Sequence, residues 1–261
     1  MPATKLERTV IKLSGDGVAA WLEGLITNTL SGDLTFAALL TPQGKIIADF
    51  FIWQDADKPA DIIIDTPAKF GSDLFKRLKM YRLRAPITLD DISDDTNIYV
   101  FWGEQGDEGR VDPRHPDIRR IMAAKPLEAA ASVDDWDAHR LSLNLPDSGW
   151  DFDSAQVFPA NANMDRLSGV NFKKGCFVGQ EVVSRMHRKT DIRKRLCAFA
   201  MSGAPDGTQI KAGDRVVGDI LHTRGESGMA MIRFDRLEQT GDTPLTAGNA
   251  QITLKPAIAG G

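Results

Sequence analysis

The residues best equipped for chemistry lie together at positions 173–188, which read Lys-Lys-Gly-Cys-Phe-Val-Gly-Gln-Glu-Val-Val-Ser-Arg-Met-His-Arg. Cys176 is bracketed by Gly175 and Gly179, residues that permit tight turns and close backbone approach. From Gly179 onward Gln180, Glu181, Val182, Val183, Ser184, Arg185 and Met186 read as helix, which places Cys176 near the positive end of that helix. Free backbone N–H groups, Lys173 and Lys174 favour the thiolate, the reactive form, while an inward-facing Glu181 opposes it. The pattern leaves two readings open: a functional thiol, or a small apolar residue in a loop. Arg185 falls four residues after Glu181, a spacing that also suits a helix-stiffening ion pair worth about 0.3 kcal/mol.

Other candidates carry less chemistry. Cys197 lies in an apolar strand pattern and reads as core. His187 and His222 lack the paired spacing of a zinc site, and no metal site is expected. Arg82, within Met80-Tyr81-Arg82-Leu83-Arg84, suits a cavity wall and a structural ion pair equally well. Asp112-Pro113-Arg114 reads as a positioning salt bridge in a loop. Lys173, Lys174, Arg185, Arg188, Lys189, Arg193, Lys194 and Arg195 form a basic stretch, either a solvated face or a rim for an anionic ligand such as a polyglutamate tail.

The elements that must position these residues follow from hydrophobic spacing. Thr9 to Leu13 reads as a strand, and Val18, Trp21, Leu22, Leu25 and Ile26 recur on one face of a helix that Asp16 would cap. Ala37–Leu40 and Ile46–Trp53 form a hairpin across Thr41-Pro42-Gln43-Gly44-Lys45. A short strand over Asp61–Asp65 precedes an amphipathic helix through Ala68, Gly71, Leu74, Phe75 and Leu78. Strands follow at Ile87–Leu89 and Ile98–Trp102, joined by an acidic loop with Asp90, Asp91, Asp94 and Asp95. Glu104–Pro116 reads as a crossing loop and Asp134–Leu145 as a helix. Past Asp191 short strands at Arg195–Met201, Asp214–His222, Met229–Phe234 and Ala250–Leu254 alternate with Gly-rich turns, as in a small all-β module. The order argues an α+β layer structure.

Composition bounds the partners and the compartment. A chain of 261 residues suggests two or three subdomains. A net charge of −4 gives no general attraction to nucleic acid or anionic membrane. No apolar run approaches the ~20 residues of a membrane span, and Met1–Glu7 lacks the apolar core of a secretory signal. Two cysteines make no disulfide framework, so a reducing, cytoplasmic location is expected.

Lys174-Gly175-Cys176-Phe177-Val178-Gly179-Gln180-Glu181, followed by Arg185, resembles the signature of the YgfZ-type folate-binding proteins, relatives of the glycine-cleavage T-protein (aminomethyltransferase). The run to Arg195-Leu196 is similar to the branch that includes mitochondrial iron–sulfur assembly factors, and the resemblance extends from Leu6 to about Lys255. It implies two mixed α/β units and a small C-terminal β-barrel around a central cavity where folate binds. Residues 1–190 would form the folate-binding region, its second unit spanning roughly 50–115, and residues 191–261 the barrel. By resemblance Asp49 is the residual acid of the folate site, in Gly44-Lys45-Ile46-Ile47-Ala48-Asp49, where the enzymes carry a second aspartate at the position of Ala48. Ser142 and Asn161 stand where the enzymes carry folate-anchoring carboxylates, and Cys176 where they carry aspartate. The implied ligand is tetrahydrofolate or a derivative, and the implied partners are iron–sulfur assembly proteins or client enzymes. The implied function is a folate-binding accessory protein for iron–sulfur cluster assembly or repair, acting through Cys176. Two others compete with it: a folate-dependent aminomethyltransferase or demethylase, and a scaffold with a vestigial cavity. Whether the chain turns over a substrate stays open, with Ala48, Ser142 and Asn161 weighing against turnover.

Overall fold

The computed structural model describes residues 2–55, 60–103, 108–189 and 191–258. β1 (Ala3–Leu6) belongs to a second sheet, and the chain then builds a first one from β2 (Arg8–Gly15), β3 (Leu34–Leu40), β4 (Ile46–Gln54), β5 (Asp61–Pro67) and β6 (Ile87–Asp91). Their spatial order is β3-β4-β5-β2-β6, and every pairing is antiparallel. Residues 46–91, part of which was expected in a second unit over roughly 50–115, therefore pair into the first sheet.

β4 explains the layering. It reads Ile-Ile-Ala-Asp-Phe-Phe-Ile-Trp-Gln and is buried along nearly its whole length, as a continuous apolar run predicts for a strand covered on both faces. Ala48, Phe50 and Ile52 face the cluster under α1 (Val18–Glu23) and α2 (Ala68–Arg82), with Leu22, Leu74 and Leu78. Phe51 and Trp53 face the opposite core, with Phe36, Ile98, Leu141 and Met164. Asp49 falls on this second face by the two-residue period of a strand. The β3–β4 turn closes as expected, with Gly44 at φ +82° and its N–H donating to Thr41 O at 2.8 Å. The cap of α1 differs from expectation: Gly17, at φ +72°, occupies the N-cap position and no side chain caps the helix, so Asp16 does not serve.

The second sheet takes β1, β7 (Asn97–Trp102), β8 (Arg110–Val111) and β9 (Ile118–Ala123) in the order β1-β7-β9-β8. β1 and β9 escape the sequence reading, β9 because Arg119 and Arg120 interrupt its apolar pattern while Arg120 is buried. The expected crossing loop over Glu104–Pro116 contains β8, and its residues 104–107 lie outside the described residues. The acidic run divides: Asp90 and Asp91 end β6, and Ser93–Asp95 forms one 3-10 turn. α3 (Val133–Ser142) starts at a capping box between Ser132 and Asp135. An irregular stretch then leads to α4 (Gln180–Lys189).

The C-terminal strands β10 (Lys194–Ser202), β11 (Gln209–Ala212), β12 (Arg215–Arg224), β13 (Ser227–Arg233), β14 (Leu245–Ala247) and β15 (Ala250–Leu254) close a barrel in the order β10-β13-β12-β11-β14-β15. Closure leaves no unpaired edge. The architecture is the expected α+β fold with a small C-terminal barrel. Among the described residues no helix is long and apolar enough to cross a membrane.

Candidate functional site

The motif at 174–185 divides into residues that fix it and residues that it displays. Lys174 reaches inward: its Nζ donates to the carbonyls of Glu23 and, at 2.8 Å, Ile26, just past the C-terminus of α1, and lies 4.9 Å from the Phe177 ring centre. Burial holds the Lys174 ammonium below its ordinary pKa, with Glu23 and Cys176 acting against that shift. Phe177 and Val183 are buried in the main core. Gly179 has φ +80°, and a Cβ there would stand 2.7 Å from Thr41 O, so the motif sits directly on the β3–β4 turn. Gly44, in that turn, is equally constrained: a Cβ would stand 3.0 Å from Val182 Cβ on α4. Gln180 Nε2 donates to Gly175 O at 3.3 Å across the loop.

Cys176, Glu181 and Arg185 point the other way and are exposed. The ion pair that the spacing of Glu181 and Arg185 suits does not form among the described residues, and both charges are left to solvent. Cys197 is buried in β10, and burial pushes its thiol up to about 11. Cys176 is therefore the accessible thiol of the two.

Asp49 stands in a separate place. Its carboxylate is buried and accepts a hydrogen bond from Ser148 Oγ. Burial, and next the negative charge of Asp147, push its pKa up to about 6, against the Ser148 hydroxyl, Arg8 and Arg114. The loop that brings Asp147 and Ser148 is held by a buried two-bond pair, Arg140 to Asp151 at 2.6 and 3.0 Å, and Asp147 N–H donates to Asp151 at 2.8 Å. A cavity of about 470 Å³ opens beside that loop, its wall including Arg8, Lys69, Trp136, Asp147, Ser148 and Trp150, while Asp49 itself is not part of the wall. Cys176 is not part of that wall. Ala48 points to the opposite face of β4, into apolar packing. In this chain the negative charge acting on Asp49 comes from Asp147.

Between the two sheets lies a buried ionic network around Phe51. Asp65 accepts from Arg8 Nε at 2.6 Å and from Trp53 Nε1 at 2.5 Å. Asp112 accepts from Arg114 at 3.1 and 3.0 Å, the positioning salt bridge read from the sequence, and also from Arg120 Nε at 2.8 Å. Burial works against the Asp112 carboxylate, but its two arginine neighbours outweigh it and hold the group well below the usual range. The Arg8, Arg114 and Arg120 guanidinium carbons lie 5.8, 4.8 and 3.7 Å from the Phe51 ring centre.

The remaining expected folate contacts each donate to a backbone carbonyl. Ser142 is exposed at the end of α3, its hydroxyl donating to His139 O at 2.6 Å. Arg82 ends α2 and donates to Ile87 O at 3.3 Å. Asn161 is buried and donates to Lys194 O at 2.7 Å, where it ties the irregular stretch to the start of the barrel. Ser148 and Asp147 escape the sequence reading because 99 residues separate Ser148 from its partner, and no spacing rule links them. Among the described residues no group of three or more His, Cys, Asp or Glu side chains gathers as a metal site.

Residues 193–260 match the family model of the CAF17 C-terminal beta-barrel domain. The chain is 28% identical over 234 residues to an iron–sulfur cluster assembly factor IBA57 homolog, mitochondrial, of Mycosarcoma maydis, covering 78% of this chain and 58% of that protein. A Phaeosphaeria nodorum homolog of the same name is 30% identical over 213 residues, covering 72% and 52%. The human iron–sulfur cluster assembly factor IBA57 is 23% identical over 293 residues, covering 96% and 82%. The chain thus spans little more than half the length of the two fungal relatives. The crystal structure of the glycine cleavage system aminomethyltransferase T from Bartonella henselae shares the fold, with a TM-score of 0.72 at 12% identity, covering 98% of this chain and 85% of that one. The chain is thus similar to proteins named iron–sulfur cluster assembly factor IBA57 and shares the fold of an aminomethyltransferase T. The cytoplasmic expectation is overturned by these relatives, which are named mitochondrial. Sparse cysteines do not single out the cytoplasm.

Proposed function

We propose that this protein is an accessory factor for iron–sulfur cluster assembly or repair that offers Cys176 to a partner and holds a reduced folate beside Asp49. The observation that carries this reading is the division of the motif. Lys174, Phe177 and Gly179 are spent on anchoring, while Cys176, Glu181 and Arg185 stand exposed and unpaired on the anchored surface. An exposed thiol on a fixed strap suits delivery to another protein, since thiolate is the nucleophile and the soft-metal ligand among side chains. The fold shared with an aminomethyltransferase supports a folate in the cavity, in whose wall stands Ser148, the donor to the buried Asp49 carboxylate. In this reading residues 1–190 carry the ligand and the thiol, and residues 191–261 the barrel.

A folate-dependent transferase remains the second reading, favoured by the raised pKa of Asp49, which is tuned for proton transfer near neutral pH. Complementation separates the two. A deletion strain receives Cys176→Ser or Asp49→Asn, and iron–sulfur enzyme activities are scored at matched protein level. The thiol reading expects Cys176→Ser to fail and Asp49→Asn to retain most activity. Full rescue by Cys176→Ser refutes it, and failure of Asp49→Asn alone moves the weight to the transferase. Calorimetry with tetrahydrofolate tests the ligand, and no heat at high concentration removes the folate.

A further inference from the structure

The loop after α3 is rigidly held, yet it carries one carboxylate that the fold leaves unbonded. Asp147 N–H donates to Asp151 at 2.8 Å, and Asp151 takes two bonds from Arg140 at 2.6 and 3.0 Å. Ser148 Oγ donates to Asp49, and Gly149 N–H donates to Phe152 O at 2.8 Å. The Asp147 side chain is half-buried in the wall of the cavity of about 470 Å³, and among the described residues no group donates to its carboxylate. Its charge is felt by Arg114 and Arg140, but Arg114 bonds Asp112, and Arg140 bonds Asp151 and Leu145 O. The same charge acts against ionisation of the buried Asp49, so it is no gain for that side chain. The half-buried Trp150 and the exposed Val133 give the wall an aromatic and apolar surface of the kind that lines ligand pockets.

We infer that Asp147 is the ligand-facing acceptor of this cavity, pairing its carboxylate with two adjacent N–H groups of a flat heterocycle that lies against Trp150. An ionised carboxylate only accepts, and its two oxygens match two parallel N–H donors such as those of an amidine or a 2-aminopyrimidine edge. The backbone bonds of the loop fix where the acceptor stands before the ligand arrives, which lowers the ordering cost of the contact. Asp49 cannot take that place, since it is buried outside the wall and already bonded to Ser148. The inference rests on the folate reading only for the identity of the natural ligand, and it is tested apart from it.

Two fragments divide the question: 6-methyltetrahydropterin, which carries the 2-amino edge of a reduced folate, and 2,4-diaminopyrimidine, which carries a similar edge and is no folate. Both are titrated by calorimetry into the parent protein, Asp147→Asn and Glu7→Gln. Asp147→Asn keeps the size but sets an amide N–H against the ligand's donors, so each fragment that binds the parent should weaken roughly tenfold or more. Glu7→Gln removes an equal charge from an exposed position in the same wall, where solvent screens it, and should change binding by less than about threefold. Absence of binding by both fragments to the parent overturns the acceptor, as does equal binding to parent and Asp147→Asn. A loss in Glu7→Gln as large as in Asp147→Asn would replace the direct contact with a general field and overturn it too. Binding of 2,4-diaminopyrimidine that Asp147→Asn weakens, with none of 6-methyltetrahydropterin, upholds the acceptor and sinks the folate reading alone. Unfolding without ligand guards against a damaged variant. The Asp147 side chain bonds nothing in the fold, so the melting temperature of Asp147→Asn should equal or exceed the parent's. A fall as large as that of Asp151→Asn, which breaks the pair with Arg140, would assign Asp147 to the frame and overturn the proposal.

Discussion

At the scale of single residues, Asp49 and Cys176 are told apart by burial. Asp49 has its proton held to about pH 6, whereas an aspartate in an unfolded chain loses it near ~4. Below that lower value both states are protonated and the group is neutral to stability. Between the two values only the folded state retains the proton, so stability falls as pH rises, and above about 6 the ionised carboxylate costs about 3 kcal/mol. Asp49→Asn keeps a side-chain oxygen for Ser148 and cannot ionise. Urea unfolding at pH 4 to 7 should show the variant gaining on the parent through this window and levelling off above it. A difference that does not vary with pH would reject the raised pKa. The two thiols offer a second check. A maleimide reagent should label native Cys176 at least about tenfold faster than Cys197, which is buried with its thiol pushed up to about 11. Equal rates, or labelling of Cys197 first, would contradict the placement of Cys176.

At the scale of elements, the strap carrying Cys176 depends on one of its glycines far more than on the other. Gly179 combines φ +80° with a Cβ position 2.7 Å from a backbone oxygen, whereas a Cβ at Gly175 meets nothing within 4 Å. Gly179→Ala should therefore cost about 2 kcal/mol or more, and Gly175→Ala should fall within about 0.5 kcal/mol of the parent. Equal effects in urea unfolding would show that the strap is not seated on the Thr41–Lys45 turn. The sequence read the two glycines alike, because pattern alone reports permissiveness and not what lies opposite. The same limit runs through the fold. The β3–β4 hairpin, α2 and the start of α4 were legible because their signals are local: turn residues between apolar runs, and apolar residues at helical spacing. β9 was not, since its buried Arg120 is explained only by Asp112 on a neighbouring turn and Phe51 on another sheet. Of the candidate site, the contiguous Cys176 motif could be read. The Asp49–Ser148 contact could not, and Ser142 and Asn161, assigned by resemblance, proved to bond the backbone of their own surroundings.

At the scale of the molecule, the barrel is joined to the rest through short polar side chains on and after α3. Asn144, at φ +58° just past that helix, accepts from Ala198 N–H at 2.6 Å and donates to Pro256 O at 2.9 Å, so one amide grips two barrel segments. Asp137, fully buried in α3, accepts from His222 Nε2 at 2.6 Å and from Arg224 Nε at 2.9 Å, both on β12. It also makes a 2.6 Å contact with Arg140 that is poorly directed for a hydrogen bond. Burial works against the Asp137 carboxylate, but His222, Arg140 and Arg224 outweigh it and hold its pKa down. Asp137→Asn has nearly the same size and removes the charge that these partners face. Arg140 retains Asp151, so the loss falls on His222 and Arg224 and hence on the barrel junction. Breaking one side of a buried pair typically costs about 3 kcal/mol. The variant should lose stability of that order, and hydrogen exchange should quicken first in β12 and its partners β11 and β13, ahead of the first sheet. Because a depressed carboxylate stabilises above its unfolded pKa, the parent's advantage should be full at neutral pH and shrink as the solution is acidified below ~4. Exchange that quickens evenly across both sheets and the barrel, or an advantage that persists in acid, would show that Asp137 does not hold the barrel to the body of the protein.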